Sequence, residues 1–318
     1  MSMEKGFVLG SKYRILEEVG RGAFSNCYRA HLINEDGTDV EDSTELWVKL
    51  CHYSKYSFKN EFEISQEITI HDRLLKSIDF DVVQLTDEET WNTQTYEYIT
   101  SEFMPNGDLF GYVNSDCFDE EWARLIFKQI LRGLESLHND GFAHMDIKLG
   151  NILLDSNFLP KLADFGFTIR VPKDALLPSS EFKNKGTKHY IPPEILEGSE
   201  FNGYSADIFA LGVVFFALMI GDYPFDSATK KDKKYGNFYK KSAKIFWAKH
   251  SKAKKRISKG LISESFVDLI TRMLLPNPDE RLTIEEIKMH DWYQQSSMGA
   301  SDLKDYFESL KALSKSRK

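Results

Sequence analysis

Cysteine is scarce in this 318-residue sequence, which contains only Cys27, Cys51 and Cys117. An odd number of widely spaced cysteines argues against a disulfide framework, and the absence of any C-x-x-C pair argues against a structural zinc site. We therefore expect a reducing, intracellular setting, either cytoplasmic or nuclear.

Long apolar runs are missing as well. The most apolar stretch, Ile208 to Ile220, contains 13 residues, whereas a helix that crosses a bilayer needs about 20. This stretch is therefore predicted to be a buried helix, and no membrane span is expected. The sequence also has no low-complexity block and no repeat with a period of about 20–50 residues, which excludes solenoid and array folds.

Acidic residues outnumber basic residues, and the formal net charge is −8. This negative net charge argues against nucleic-acid binding. The exception is the segment 230–259, which contains thirteen Lys or Arg residues and one acid, Asp232. Two interpretations of this segment remain open: an ordinary solvated surface, or a docking site for an acidic partner.

The first hundred residues consist mostly of short β-prone runs separated by turn residues. The predicted strands are Tyr13 to Val19, Cys27 to Ile33, Leu46 to Cys51, Val82 to Thr86 and Tyr96 to Phe103. A helix from Phe62 to Leu75 is predicted to interrupt them, because its apolar residues recur with helical spacing and it contains neither Gly nor Pro.

From Asp108 onward the pattern becomes mainly helical, with apolar residues repeating every three or four positions between Trp122 and Leu137. Pro105 and Gly107 favour an extended connection between the two regions. We therefore predict an α+β protein with a small β lobe at residues 13–103, a hinge at 104–107, a larger helical lobe at 108–293 and a helical tail at 294–318.

Gly20 and Gly22 lie between two predicted strands, where glycines let backbone N–H groups approach phosphates closely. The third glycine of a G-x-G-x-x-G pattern is replaced by Ser25. A helix does not follow, which counts against a Rossmann dinucleotide site. An ordinary hairpin turn would also explain two glycines between strands, so both interpretations stay open.

Lys49 lies inside an apolar predicted strand that is followed by the predicted helix. A lysine in this setting can form an ion pair with a helix carboxylate that fixes its ammonium against the α- and β-phosphates of a nucleotide. Glu67 is the predicted partner, because the apolar helix positions then define the buried side. Glu61 and Glu63 remain rival partners.

The stretch from His144 to Leu154 reads His-Met-Asp-Ile-Lys-Leu-Gly-Asn-Ile-Leu-Leu, and the tripeptide at 164–166 is Asp-Phe-Gly. In their order with the glycine loop, Lys49 and the Pro-Pro-Glu at 192–194, these stretches resemble the catalytic loop and D-F-G motif of eukaryotic protein kinases. The resemblance covers about residues 13–293. It implies the bilobal α+β kinase fold and ATP-dependent phosphorylation of Ser or Thr in protein substrates.

The resemblance also implies a role for each catalytic residue. Asp146 would accept the proton of the substrate hydroxyl, and Lys148 would balance charge near the γ-phosphate. Lys49, paired with Glu67, would clamp the α- and β-phosphates.

The metal and nucleotide sites follow from the same resemblance. Asn151 and Asp164 would hold Mg²⁺ or Mn²⁺. The residues implied to bind ATP are Val19, Gly20, Gly22, Ser25, Cys27, Trp47, Lys49, Ser101, Glu102, Met104, Asp108 and Leu153.

Two departures from the kinase pattern concern the nucleotide site. Trp47 stands where most kinases have alanine, and the period of two along a strand places it on the same face as Lys49. The indole would therefore either fill the roof of the adenine pocket or pack sideways beneath Cys27. Ser101 falls at the gatekeeper position, where a small residue would open a back pocket to bulky inhibitors.

A third departure concerns regulation. Met145 replaces the arginine that precedes the catalytic aspartate in most kinases and pairs there with an activation-loop phosphate. Lys183 stands at the position, four residues before Thr187, where that phosphate commonly sits. Activity is therefore predicted not to require activation-loop phosphorylation, although Ser179 and Ser180 remain candidate phosphosites.

Two classes of function remain open. The first is a Ser/Thr protein kinase, and the second is a pseudokinase that acts as a nucleotide-binding or scaffolding module, for which Ser25, Trp47 and Met145 are the arguments. The overall spacing most resembles the calcium/calmodulin-dependent kinase group. Because no EF-hand pattern occurs, calcium would act through a partner such as a calmodulin-like regulator, with the tail either binding it or packing on the large lobe.

Overall fold

The computed structural model describes residues 3–22, 25–40, 44–86, 91–113, 119–172, 176–182, 187–240 and 242–315. The chain forms two compact units. Unit 1 comprises Met1–Ile70, Leu74–Pro105 and Asp164–Gly166, and unit 2 comprises His71–Arg73, Asn106–Ala163 and Phe167–Lys318.

Unit 1 contains a six-stranded antiparallel sheet with the strand order β1-β2-β3-β4-β6-β5. Its strands are β1 (Val8–Leu9), β2 (Tyr13–Arg21), β3 (Ser25–Leu32), β4 (Leu46–His52), β5 (Ser77–Thr86) and β6 (Thr93–Glu102). The five predicted strands are confirmed, although β5 begins at Ser77, well before the predicted start at Val82.

Alternate residues of these strands form the core of unit 1, as the period of two in a strand requires. On β4, for example, Val48 and Leu50 are buried in this core. Trp47 and Lys49 therefore project from the opposite face of β4. Because of this alternation, the face of the sheet opposite the core carries both the indole of Trp47 and the ammonium group of Lys49.

The helix of unit 1, α1 (Lys59–Glu67), differs in its bounds from the prediction of Phe62 to Leu75. It begins three residues earlier and ends at Glu67, because Ile68 already has extended backbone with φ −68° and ψ 143°. The apolar residues at 74 and 75 thus belong to a later segment. They extend the apparent periodicity without extending the helix.

Helices dominate unit 2. They are α2 (Glu120–Asn139), α3 (Pro193–Glu197), α4 (Gly203–Ile220), α5 (Gly236–Tyr239), α6 (Ala243–Lys249), α7 (Ser251–Ser258), α8 (Glu264–Met273), α9 (Ile284–Met289), α10 (Asp291–Gln294) and α11 (Leu303–Lys315). Two short antiparallel pairs accompany them: β7 (Phe142–Ala143) with β10 (Ile169–Arg170), and β8 (Ile152–Leu154) with β9 (Pro160–Leu162). With the sheet of unit 1, these helices confirm the α+β class.

Helix α4 lies in the core of unit 2. Among the described residues it is the one helix whose length and composition would suit a membrane span, yet 89% of it is buried inside the protein. The side chain of its N-cap residue, Asn202, accepts hydrogen bonds from backbone N–H groups of the first turn. The helix ends at Gly221, which adopts the left-handed conformation with φ 69°. The predicted buried helix from Ile208 to Ile220 is therefore confirmed.

A buried ion pair ties α3 to the segment that precedes α9. Arg281 donates to both carboxylate oxygens of Glu194, at 2.7 and 2.6 Å, and both residues are buried. Removing either partner would leave an uncompensated buried charge, which typically costs about 3–5 kcal/mol.

The tail packs on unit 2 through aromatic contacts of α11. Phe307 is fully buried, stacks on Phe158 with ring centroids 5.1 Å apart and meets Tyr112 edge-on at 4.8 Å. Tyr306 stacks on Trp122 at 4.2 Å. The apolar side of α11 is therefore covered by unit 2 at these positions.

Candidate active site

Lys49 is held by two carboxylates of unit 1. Its Nζ lies 3.1 Å from Glu61 Oε1 on α1 and 3.5 Å from Asp164 Oδ1. The side chain of Glu61 is only 6% exposed, and that of Lys49 is 25% exposed. A single ammonium group is thus fixed between the helix carboxylate and the aspartate of the D-F-G tripeptide.

The prediction that Glu67 pairs with Lys49 is wrong, since the helix carboxylate bound to Lys49 is that of Glu61. The buried residues of α1 are Glu61, Ile64 and Ser65. At about 100° per residue, Glu67 lies roughly 120° around the helix from Glu61. It is exposed at the last helical position, so the extended helix assumed from sequence placed the buried side wrongly.

The pKa values of this pair reflect its burial. Desolvation acts to lower the pKa of Lys49, but the negative charges of Asp164 and Glu61 outweigh it and raise that pKa. Burial raises the pKa of Glu61, and the charge of Lys49 offsets only part of the rise. Glu61 Oε2 is buried without a hydrogen-bond donor among the described residues, which is consistent with this direction.

The D-F-G glycine has a steric role in unit 1. A Cβ atom added at Gly166 would lie 2.1 Å from the hydroxyl oxygen of Tyr56. No side chain fits this approach without moving the tyrosine. Gly166 thus lets the chain after Asp164 pass close to Tyr56.

The glycine loop forms the turn between β2 and β3. Val19 and Gly20 belong to β2, and Ser25 begins β3. The Gly22 N–H donates to the Ser25 carbonyl at 2.7 Å, which closes the turn. Cys27 is paired in register with both Gly20 and Lys49, so the loop is connected directly to the strand that carries the lysine.

Trp47 shares its side of the sheet with Lys49. Its indole meets Phe103 edge-on, with ring centroids 6.5 Å apart at 72°. Burial raises the pKa of the Cys27 thiol, and the charge of Lys49 and the Trp47 N–H offset part of the rise. The indole N–H is buried without an acceptor that meets hydrogen-bond geometry among the described residues. These contacts favour sideways packing of Trp47.

In unit 2, the catalytic loop brings three predicted residues together around one carboxylate. Lys148 Nζ donates to Asp146 Oδ2 at 2.5 Å, and Asn151 Nδ2 donates to the same oxygen at 2.9 Å. Asn151 Nδ2 also donates to the Asp146 carbonyl at 2.9 Å. Asp146 is 7% exposed, so its position is fixed by these donors and by its burial.

The backbone before Asp146 is strained. It is held by Asp207, whose role was not predicted from the sequence. Met145 adopts the left-handed region with φ 65°, which is uncommon for a residue other than glycine. The buried carboxylate of Asp207 accepts the N–H of Met145 at 2.9 Å and that of His144 at 2.7 Å. A lone acid at the start of the apolar α4 was the available signal, because buried charges are normally partnered.

Asp108 and Leu153, two further predicted nucleotide-site residues, form an isolated antiparallel bridge in unit 2. Asp108 Oδ1 accepts the Gly111 N–H at 3.0 Å, and Leu153 is buried. The remaining predicted residues Ser101, Glu102 and Met104 belong to the end of unit 1, where Ser101 and Glu102 close β6.

Each unit therefore assembles one part of the predicted site. Unit 1 brings together Lys49 and Asp164 with Glu61 in place of Glu67, and unit 2 brings together Asp146 with its two donors. A basic clamp and a buried, hydrogen-bonded carboxylate are the groups that phosphoryl transfer requires.

Comparison with known proteins agrees with this chemistry. The family profile described as the protein kinase domain matches residues 13–293. The serine/threonine-protein kinase SRK2C of Arabidopsis thaliana is 30% identical over 286 residues, which cover 89% of this chain and 75% of the relative. The serine/threonine-protein kinase SAPK9 of Oryza sativa subsp. japonica is 32% identical over 292 residues, which cover 90% and 73% of the two chains.

A longer relative shows a partial match. The CBL-interacting serine/threonine-protein kinase 13 of Arabidopsis thaliana is 31% identical over 315 residues, which cover 96% of this chain but only 55% of the relative. The likeness thus extends over little more than half of that protein. By its profile match and its relatives, the chain belongs to the protein kinase family and is a serine/threonine protein kinase.

Proposed function

We propose that this chain transfers the γ-phosphoryl group of ATP to serine and threonine hydroxyls of protein substrates with the help of Mg²⁺. The observation that carries the proposal is the position of Lys49, whose ammonium is held 3.1 Å from Glu61 and 3.5 Å from Asp164. A lysine fixed in this way is a preorganised positive charge for nucleotide phosphates.

The residues around Asp146 support a proton-accepting role. Its Oδ2 accepts hydrogen bonds from Lys148 and Asn151, which hold the carboxylate in one orientation. An oriented carboxylate can take the proton of a substrate hydroxyl as that oxygen attacks phosphorus. Lys148 then offsets negative charge beside the transferred group.

Each unit by itself also offers an oxygen donor of the kind that a divalent cation bound with the nucleotide uses. Asn151 uses Nδ2 toward Asp146, so its carbonyl oxygen is directed away as a ligand, and Asp164 supplies a carboxylate that is 37% exposed. Oxygen ligands of this kind suit Mg²⁺ or Mn²⁺. When bound, the cation would neutralise charge that develops on the phosphate oxygens.

Two measurements test the proposal. Melting temperature is recorded with a non-hydrolysable ATP analogue, with and without Mg²⁺, and radiolabel transfer from ATP to a generic basic peptide follows. We expect a Mg²⁺-dependent rise in melting temperature together with transfer. A nucleotide shift without any transfer would favour the pseudokinase alternative, and the absence of both would favour a scaffold that binds no nucleotide.

The structure also supports activity without activation-loop phosphorylation. Met145 packs, with Ile169, Leu177, Phe182 and Ile191, against a buried cluster formed by Ile195, Phe201 and Ala206. We call these eight residues the apolar clamp. In place of an arginine that would await a phosphate, position 145 thus supplies apolar surface to the segment that follows the D-F-G tripeptide.

Further contacts hold residues 177–182 in place within unit 2. Leu177 and Phe201 exchange two backbone hydrogen bonds, at 2.8 and 2.9 Å, and the rings of Phe182 and Phe201 meet edge-on at 5.4 Å. Ser179, one of the two candidate phosphosites, is only 3% exposed. Lys183 lies outside the described residues. The proposal therefore rests on the clamp.

The tail is proposed to be a structural part of the kinase domain. Phe307 and Tyr306 face the aromatic residues of unit 2 that a regulator would have to displace. A calmodulin-like regulator would therefore bind α11 only after these contacts open.

A further inference from the structure

A cleft of about 580 Å³ in unit 2 is lined by nine residues, six of which are lysines. The six are Lys230, Lys231, Lys233, Lys234, Lys240 and Lys249, and we call this feature the lysine cleft. We propose that the lysine cleft binds an anionic segment of a protein substrate, in which carboxylates or phosphates are clustered. The inference rests on the proposed function to the extent that the partner is a substrate.

The one acid of the cleft forms no ion pair with its lysines in the part of the chain that the structure describes. The carboxylate of Asp232 accepts hydrogen bonds from four backbone N–H groups, those of Asp226 and Ser227 through Oδ2 and those of Lys234 and Tyr235 through Oδ1, at 2.8–3.3 Å. The carboxylate therefore closes the loop that carries the lysines.

The same loop is anchored in the core. Tyr235 is fully buried, and its hydroxyl donates to the Leu274 carbonyl at 3.0 Å. Asn237 is 4% exposed, and its Nδ2 donates to the carbonyls of Lys233 and Lys234 at 3.1 and 2.6 Å. The backbone from which the lysines project is thus fixed before any ligand binds, which reduces the ordering cost of binding.

Most of the lysine charge in the cleft is uncompensated. Lys230 forms an ion pair with Glu197 at 3.5 Å, and Lys249 donates to Asn237 Oδ1 at 3.4 Å. The other four lysines of the cleft form no ion pair within the part of the chain that the structure describes. Several ammonium groups around one concave surface concentrate positive potential, which attracts and orients an anionic chain.

The lining favours a protein segment over nucleic acid or a membrane. Apart from lysine, the described lining residues are Asp232, Gly236 and Asn237, so no aromatic ring is offered for base stacking and no aliphatic side chain for insertion into lipid. A concave cleft lined by lysine ammonium groups suits an extended acidic chain. The negative charge of the rest of the molecule also disfavours long polyanions.

The position of the cleft points to a substrate. Both Lys230 and the Tyr239 hydroxyl bind Glu197, the last residue of α3. That helix directly follows Pro192, which lines a small cavity of about 30 Å³ together with Asp146. One short helix therefore connects the cleft to the surroundings of the catalytic aspartate, so one substrate chain can contact both.

The direct test is the binding of fluorescent peptides by anisotropy. An eight-residue Glu/Asp peptide and a peptide with two phosphoserines are compared with a Gln/Ser peptide of the same length, at low and at about 0.15 M salt. The triple variant Lys231→Gln, Lys233→Gln, Lys240→Gln is expected to bind both anionic peptides about tenfold more weakly than the unmodified protein. The relative affinities of the two anionic peptides show whether the lysine cleft prefers carboxylates or phosphates.

A matched control removes three charges from the same basic segment outside the cleft, by Lys254→Gln, Lys255→Gln and Lys259→Gln in and beside the exposed side of α7. We expect this control to bind within about twofold of the unmodified protein. Equal weakening in both triple variants, unchanged binding in the cleft variant, or tighter binding of a charge-matched single-stranded RNA would overturn the proposal. Melting temperatures of the variants confirm that each remains folded.

A kinetic arm separates this inference from the proposed function. A basic acceptor peptide is compared with the same peptide extended by the acidic segment. The extension should lower KM about tenfold for the unmodified protein and for the α7 control, and leave it unchanged for the cleft variant. Equal KM values for the two peptides, with transfer present, would refute the substrate role while the kinase proposal stands. Absence of all transfer would refute the proposed function, and peptide binding would still test the cleft.

Discussion

Trp47 on β4 lies directly opposite Ser101 on β6 in the antiparallel register. Side chains in such pairs share one face of the sheet, with Cβ atoms roughly 4.5–5.5 Å apart. The large side chain of Trp47, which replaces the usual alanine, thus lies beside the small side chain of Ser101 at the gatekeeper position. A bulkier residue at position 101 would therefore be placed next to Trp47 on the neighbouring strand.

This pairing predicts coupling between the two positions. Ser101→Met should lower the free energy of unfolding by about 1–3 kcal/mol in the unmodified protein, because the larger side chain overpacks against the indole. In a Trp47→Ala background the same change should cost much less. A double-mutant cycle measured by urea unfolding checks this, and additive effects within about 0.5 kcal/mol would contradict the pairing.

The same pairing changes what we expect of adenine-site inhibitors. The sequence predicts that a small gatekeeper admits bulky compounds, but Trp47 lies opposite Ser101 on the neighbouring strand. We expect Ser101→Met to alter the potency of a bulky inhibitor little in the unmodified protein and strongly after Trp47→Ala. A strong loss of potency from Ser101→Met alone would show that Trp47 does not fill this space.

The corrected ion pair predicts a contrast between two glutamates of α1. Glu61→Gln should reduce kcat/KM for peptide phosphorylation about a hundredfold, because Lys49 loses the partner that positions it. Glu67→Gln, on the exposed side of the helix, should leave kcat/KM within about twofold. Similar losses in both variants would mean that Lys49 changes partner during the reaction.

Burial raises the pKa of Glu61, which predicts a pH dependence with two opposite signs. As pH falls through this raised pKa, Glu61 becomes neutral and holds Lys49 less firmly, so the affinity for an ATP analogue should fall. The contribution of Glu61 to folding stability moves the other way: it is fully present below the unfolded-state pKa and is lost as pH rises through the folded-state pKa. Calorimetric titration and thermal unfolding of the unmodified protein and Glu61→Gln, compared between pH 5 and 8, check both signs. Identical profiles would contradict the raised pKa.

The apolar clamp predicts that phosphatase-treated protein keeps its activity. With residues 164–194 shown by mass spectrometry to be unmodified, transfer should stay within about threefold of the untreated value. Phe182→Ser should lower that activity at least tenfold by removing a ring from the clamp, whereas Leu176→Ser, at a residue that is 55% exposed, should not. Activity that disappears on dephosphorylation and returns with a phosphate on Ser179 or Ser180 would refute the clamp as the ordering device.

The tail contacts predict a loss of stability and no gain of activity. Phe307→Ala should lower the free energy of unfolding by about 3 kcal/mol, since a fully buried ring between Tyr112 and Phe158 is lost. Met298→Ala, at a residue that is 37% exposed, should change it by less than about 0.5 kcal/mol. Activity that rises after truncation at Gln294 would instead indicate autoinhibition.

The spacing of apolar residues along the sequence predicted those features that depend on neighbouring residues alone. Alternation fixed Trp47 and Lys49 on one face of β4, and the fully apolar run identified α4 as a core helix. Glu61 was misjudged because the apolar residues at 74 and 75 continued the helical period beyond the actual end of α1. The support of Met145 by Asp207 depends on a contact between distant segments, which no local period encodes. The basic segment was visible in the sequence, but the cleft that its lysines line depends on the folding of their loop.

The most direct test of the kinase assignment is single-turnover transfer by the Asp146→Asn variant. With enzyme in excess over labelled ATP and a saturating acceptor peptide, the rate should fall about 10²–10⁴-fold, because the positioned proton acceptor is lost. The affinity for a non-hydrolysable ATP analogue should stay within about threefold, since Asp146 serves the acceptor hydroxyl and not the phosphates. An unchanged transfer rate in Asp146→Asn would contradict the proposed catalytic role of this residue.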